Sequence, residues 1–298
     1  MNLNVIRLIA TLRLEADIPD RYALFGIKPY FEDAFRQAAG CGEGSGSCTC
    51  PYHQLFSQPL SADPAALKRY QKPSLPFVFH IPTLPEQPNR QTIAELELVL
   101  VGPALTHVST FLAALEGMQA LAACRKKLPA TLIKVESVGY DDDRALVAVP
   151  AKGANMDRLV TLSLQGVRES TVLAPDTVAL SIVTPMLILT EGRPLREFSF
   201  SPFMRALIRR VSSLAYYYGE SEAELDYKWL ARQSHQVECL NFDFHWVEWG
   251  RKRYGVIGTG VFRGDLTDFH QFLLAGELLH VGKEATSGLG RFILERAL

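Results

Sequence analysis

The order in which hydrophobic periodicities follow one another limits the folds open to this chain more than any other feature. Twice it runs strand, helix, strand, strand, helix, strand. An alternating strand buries one face and an amphipathic helix one stripe, so each set calls for helices laid on one side of a sheet. Residues 3–15 alternate, with Ile6, Leu8, Ala10, Leu12 and Leu14 on one face and Val5, Arg7, Ile9, Thr11, Arg13 and Glu15, the more polar set, on the other. Tyr22 to Ala39 carries Phe31, Ala34, Phe35 and Ala38 at helical spacing and stops at Gly40. Phe77 to Ile81 and Glu95 to Val101 read as strands, and Thr106 to Leu121 as a helix. Leu132 to Val138 and Arg144 to Val149 read as paired strands.

The second half repeats the rhythm. Thr177 to Leu189 is a strand, and Ser201-Pro202 opens a helix, with serine as cap and proline at the first position, that Gly219 ends. Val237 to Trp249 alternates, Gly250 to Gly255 turns the chain, and Val256 to Phe262 returns. Asp268 to Leu279 is a last helix and Arg291 to Leu294 a last strand. This is the split βαβ pattern, which predicts an α+β fold of two tandem ferredoxin-like (RRM-like, βαββαβ) domains. The expected domains are 1–155, with a Cys/Gly loop as insertion, and 170–298, since Pro150 to Leu173 lacks clear periodicity.

Composition, 48% hydrophobic and 21% charged over 298 residues, fits two such domains without disulfide staples. No signal-peptide pattern opens the chain and no run of ~20 apolar residues interrupts it. The expectation is a cytoplasmic protein with no membrane partner. The net charge of −1 gives no whole-molecule field for a polyanion. Basic residues gather locally instead, at Arg205, Arg209 and Arg210 and at Arg251, Lys252 and Arg253. Such groups are ordinarily solvated faces unless they converge on one surface.

The loop CGEGSGSCTCPYH places Cys41, Cys48, Cys50 and His53 at C-x6-C-x-C-x2-H. Three thiols and an imidazole can hold a tetrahedral zinc, although the spacing is not that of a standard finger. The alternative is reduced thiols in a surface loop, as a cytosol favours.

Near the C-terminus the chain reads GELLHVGKEATSGLGRFIL, with glycines at Gly282, Gly288 and Gly290 between Lys283 and Arg291. Glycine permits positive φ and close approach, and successive N–H groups in such a turn can cradle an anion. The reading that competes is an ordinary helix-to-strand connection. Gly255, Gly258 and Gly260 run in the reverse of the dinucleotide order, and no phosphate-loop order occurs, so nucleotide sites are set aside.

The helix ending GELLHVGK, the turn TSGLGR and the immediate last strand resemble the C-terminal signature of the RAMP proteins of CRISPR systems. More narrowly, they resemble the repeat-RNA-processing endoribonucleases, the sixth Cas family. FSFSPFMRALIRRVSSLAYYYGE, WVEWGRKRYGVIGTGVFRGDL, CTCPYHQLF and LVLVGPALTHVSTFLAAL resemble further pieces of that family. One departure stands out. The family's second glycine-rich turn, in the N-terminal half, is here reduced to Gly117, followed by Arg125, Lys126 and Lys127.

The resemblance implies cleavage of CRISPR precursor RNA within its repeats, with attack by the 2′-hydroxyl on the adjacent phosphate. The nucleophile belongs to the substrate, so no cofactor is required, and a zinc would be structural. The implied partners are repeat RNA, as hairpin or single strand, and other Cas proteins of an interference complex, with no DNA required. Histidine suits the acid/base role. The resemblance implies a catalytic histidine in or just after the first helix; Tyr22 to Ala39 contains none, which makes His53, the nearest, the first candidate. Tyr22, Lys28 and Tyr30 are candidates to orient the 2′-hydroxyl or neutralise charge. Zinc and acid/base chemistry compete for His53. His280, Gly282, Lys283, Gly288, Gly290, Arg291, Arg205, Arg209, Arg251 and Arg253 are the expected RNA contacts. Without an acid/base group the same fold would serve as a non-catalytic RNA-holding subunit.

Overall fold

The computed structural model describes residues 3–17, 21–42, 48–70, 72–85, 91–124, 130–219 and 225–295, with side chains of the 108–124 helix described to Met118. In chain order the elements are β1 (Asn4–Leu14), α1 (Lys28–Ala38), α2 (Pro51–Phe56), α3 (Pro64–Tyr70), β2 (Phe77–His80), β3 (Ile93–Val101) and α4 (Val108–Cys124). They continue with β4 (Ala130–Val138), β5 (Arg144–Val149), β6 (Gly153–Ala154), β7 (Thr161–Ser163), α5 (Leu164–Ser170), β8 (Thr177–Met186), β9 (Leu189–Thr190) and β10 (Arg193–Pro194). The last are α6 (Phe200–Tyr218), α7 (Tyr227–Ser234), β11 (Glu238–Gly250), β12 (Arg253–Arg263), α8 (His270–Leu279) and β13 (Phe292–Glu295).

The chain divides into two compact units. One comprises Asn4–Pro59 and Leu75–Leu162; the other comprises Met1–Leu3, Leu60–Ser74 and Ser163–Leu298. The first holds an antiparallel sheet in the order β2-β3-β1-β4-β5-β6. The second holds β11-β12-β8-β13, also antiparallel. Each has the chain's first strand of its set at the centre, flanked by the third and fourth. That is the βαββαβ order, so both units are ferredoxin-like.

In the first unit Phe31 of α1 meets Phe77 and Phe79 of β2, and Phe31 and Phe35 both meet Phe111 of α4, with ring centroids 4.8–5.8 Å apart. Fully burying each such ring contributes about 1.5–3 kcal/mol. The helix expected to begin at Tyr22 is in two pieces. A 3₁₀ turn, Ala23–Gly26, precedes α1, whose Pro29 lies in the first turn, where its missing N–H costs nothing. On β1 the more polar face is covered in part, with Thr11 buried, Arg7 half-buried and Arg13 exposed: Arg7 Nε donates to Glu97 Oε1 at 2.6 Å, and His80 Nδ1 lies 3.2 Å from Glu97 Oε2. Burial alone would raise the Glu97 carboxyl. The neighbouring His80 and Arg7 outweigh it and hold Glu97 well below the usual carboxylate range.

In the second unit α6 buries Phe203, Leu207, Val211 and Leu214 and leaves Arg205 and Arg209 in solvent. The cap expected at Ser201 is two residues out of place. Ser199 is the extended residue before the helix, and Ser201 instead accepts a hydrogen bond from Ser234 Oγ at 2.8 Å. α3 packs on α6. Ser61 Oγ lies 2.8 Å from the Tyr216 hydroxyl, and the Tyr70 and Tyr227 hydroxyls are 2.9 Å apart. Among the described residues no helix is long and apolar enough to cross a membrane.

Candidate functional site

In the first unit α2 begins at Pro51, directly after Cys50, and so points His53 back over the cysteine loop. His53 Nδ1 is 3.4 Å from both Cys41 Sγ and Cys50 Sγ. The donor atoms of Cys41, Cys48, Cys50 and His53 all lie within 4.8 Å of one another. Zn–S and Zn–N bonds of about 2.3 and 2.05 Å put tetrahedral S···N edges near 3.5 Å, so the arrangement fits a small tetrahedral cation. Burial would raise the Cys50 thiol, yet hydrogen bonds from His53 and from Cys48 and Cys41 bring it down to about 6. Cys41, beside two other sulfurs, is pushed up to about 11, first by burial. Tyr52, next to His53, joins Arg36 and Glu32 of α1 at 2.8 and 3.0 Å and ties α2 to that helix.

The other acid/base candidates lie at the start of α1. Tyr22 is partly exposed, edge-on to Phe25 with ring centroids 5.9 Å apart, and Lys28 is partly exposed at the first residue of α1. Tyr30 is buried, 8% exposed. His107 Nε2 lies 2.8 Å from Gln54 Oε1, and burial lowers its pKa. Arg125, Lys126 and Lys127 fall outside the described residues.

In the second unit the C-terminal glycines serve packing. A Cβ on Gly290 would lie 1.7 Å from the Val281 carbonyl oxygen, and one on Gly282 would lie 2.7 Å from that of Leu187. Gly282, Gly288 and Gly290 have φ of +94°, +96° and +67°. The N–H groups of Lys283, Gly288, Gly290 and Arg291 already donate to Leu187 O, Ala285 O, Pro185 O and Thr184 Oγ. Those four cannot also cradle an anion. His280 is fully buried, so it does not reach solvent as an RNA contact would need to. Gly288 and Gly290 are buried as well; Lys283 is exposed and Arg291 partly so. What the loop presents is side-chain charge.

The hairpin tip is exposed at Arg251 and Arg253. Arg253 stacks over Trp249 at 5.1 Å, and its Nη1 is 3.9 Å from Glu284 Oε2, which brings the tip against the glycine loop. Arg205, Arg209, Gly282 and Lys283 converge on one open cleft of about 770 Å³. Lys72 and Arg210 also line it. Lys72 lies in a stretch without periodicity, and nothing local to it signals a place beside α6.

Residues 180–292 match the family model described as CRISPR-associated endoribonuclease Cas6. Residues 21–158 match a model described as an N-terminal domain. Comparison with curated proteins gives no match. Among solved structures, a Cas6 product complex aligns with a TM-score of 0.59 at 15% identity, over 98% of this chain and 100% of the other. Thermus thermophilus Cas6 aligns at 0.56 and 14%, over 99% of each chain. A partial Cas6-RT-Cas1–Cas2 complex aligns at 0.61 and 14%, over 99% of this chain and 46% of the longer one. At such identities these likenesses speak for the fold. The match over residues 180–292 lies inside the second βαββαβ unit, so that stretch is similar to the CRISPR-associated endoribonuclease Cas6 family.

Proposed function

We propose that this chain is an endoribonuclease that cuts CRISPR precursor RNA within its repeats to yield guide RNAs. The observation that carries the reading is the Cas6 model match over residues 180–292. The reaction is transesterification. The 2′-hydroxyl attacks the adjacent phosphorus, the P–O5′ bond breaks, one proton leaves the 2′-oxygen and one reaches the 5′-oxygen. The enzyme aligns these atoms and stabilises the phosphorane charge, and a metal-bound nucleophile is not needed. Repeat RNA is the substrate, and other Cas proteins are partners by analogy with the Cas6-RT-Cas1–Cas2 assembly.

The Cys41, Cys48, Cys50 and His53 cluster holds a structural zinc in this reading, supported by donor atoms within 4.8 Å of one another. A metal on Nδ1 removes His53 from proton transfer. The acid/base work then falls to Tyr22 and Lys28, the partly exposed groups at the start of α1, with buried Tyr30 as their support. RNA backbone contacts come from Lys283, Arg291, Arg205, Arg209, Arg251 and Arg253. Metal analysis tests the cluster: less than a tenth of an equivalent of zinc in purified protein sinks it.

Cleavage of the cognate repeat RNA in excess EDTA tests the activity. Wild type cuts, and Tyr22→Phe or Lys28→Ala binds as before but cuts about 10²–10⁴-fold more slowly. RNA neither bound nor cut refutes the reading. RNA bound but uncut favours the RNA-holding subunit, a reading that the engagement of His53 with Cys41 and Cys50 supports.

A further inference from the structure

The cleft of the second unit is built from three places in the sequence. Helix α6 contributes Arg205, Arg209, Arg210 and Ser213, the glycine loop contributes Lys283, and the segment Leu60–Ser74 contributes Lys72 and Ser74. Five of its lining residues are cationic, and Glu191 is the acidic one. Arg210 is the informative member. Its Nε donates to Leu279 O at 2.6 Å and its Nη1 to Ser74 Oγ at 3.2 Å, while Nη2 is out of solvent with no hydrogen-bond partner. Among the described residues no carboxylate pairs with it. The Ser213 hydroxyl is likewise buried and without a partner. Arg210 as a whole is half-buried, and a guanidinium nitrogen held out of solvent without a counter-charge is unfavourable until an anion arrives.

A second depression, about 730 Å³, adjoins the first and shares Arg205 and Arg209 with it; Arg69 and Lys228 also line it, with Asp226 as its acidic residue. Two depressions joined along one basic helix face form a track. A track suits a run of phosphates, whereas a compact anion would fill one end of it.

We propose that this track binds the phosphodiester backbone of the RNA. Arg210 and Ser213 form the floor, and Lys72, Arg205, Arg209 and Lys283 the rim. The proposal rests on the RNA-processing reading and adds to it Lys72, Arg210 and Ser213, together with the reason that Leu60–Ser74 packs on α6. The inserted segment completes a phosphate groove that α6 and the loop leave open on one side.

The test is equilibrium binding of the repeat RNA across a series of salt concentrations. The proteins are wild type, Lys72→Ala, Arg209→Ala, the double variant and Arg209→Lys, with Arg168→Ala, on exposed α5, as control. The substituted side chains are solvent-exposed, so the fold tolerates the changes, and a melting curve checks it. Each alanine variant weakens binding by roughly 3–10-fold near 0.15 M salt and lowers the salt slope by about 0.7 per lost phosphate contact. Arg209→Lys keeps most of the slope. If wild type binds and the double variant matches Arg168→Ala in affinity and slope, the track is refuted while the RNA reading stands. If wild type binds no RNA, the RNA reading itself fails. If inorganic phosphate stabilises wild type but not the double variant, with RNA affinity equal in both, the site belongs to a small phosphate ligand and the backbone occupant is overturned.

Discussion

Replacing Gly290 by alanine should destabilise the second unit far more than the same change at Gly192. Both residues have left-handed φ, +67° and +78°. An alanine there costs about 1–2 kcal/mol from backbone conformation alone. At Gly192 nothing lies within 4 Å of the added Cβ, so the cost stops there. At Gly290 the Cβ lands 1.7 Å from the Val281 carbonyl oxygen, and that strand-like pair must separate. Separation breaks the Val281 N–H to Gly290 O bond at 3.1 Å and strains the Gly290 N–H to Pro185 O bond at 3.1 Å. At ~1 kcal/mol each, with the conformational cost, the total comes to about 3–4 kcal/mol. Urea unfolding followed by tryptophan fluorescence reads the second unit, where Trp229, Trp246 and Trp249 all lie. If Gly290→Ala loses no more than Gly192→Ala, the packing account of these glycines is wrong, and an anion-cradling role for them regains its footing.

Cys48→Ala and Cys50→Ser should lose bound zinc, and cobalt substituted into wild type should show the absorption of a tetrahedral thiolate site that the variants lack. Glu97→Gln removes a carboxylate whose folded pKa is depressed. Its contribution is therefore present above the unfolded value near 4.5 and lost as pH falls through the folded value. The variant should be about 3 kcal/mol less stable at pH 7 and show a flatter loss between pH ~4.5 and ~2; equal slopes would refute the network. Asp226, whose Oδ1 accepts from the N–H groups of Lys228 and Trp229 at 3.0 and 2.9 Å, caps α7. Asp226→Ala should cost about 1 kcal/mol, and an unchanged denaturation midpoint would count against the cap.

The twelve-element rhythm was legible because each strand or helix of the two sheets carries its own period. Strand Arg144 to Val149 matches β5 end for end, and Arg205 with Arg209 reads as one helix face and is one. The short helices α2, α3 and α7 were not legible, since six to eight residues carry too few turns to show a stripe. Nor was burial on the polar face of β1. Arg7, Glu97 and His80 look solvated one at a time and are stable inside only as a set. At the candidate sites, spacing alone suggested that three cysteines and His53 could converge. The floor of the cleft was invisible, because Lys72 and Arg210 are 138 positions apart.

The segment Leu60–Ser74 also sets a clock. Its platform, α6, begins at Phe200, about 130 residues after α3 ends at Tyr70. At 5–20 residues per second, the ribosome delivers that platform roughly 6–26 s after α3. During this interval the first unit can assemble around a tethered strand of chain with no surface to rest on. The two units therefore cannot mature one after the other as beads on a string. The first closes with a loop still waiting, and the second is complete only when it captures a piece of chain made long before it. A break in the backbone anywhere between 60 and 74 would strike the later-made unit, not the one in whose sequence it lies.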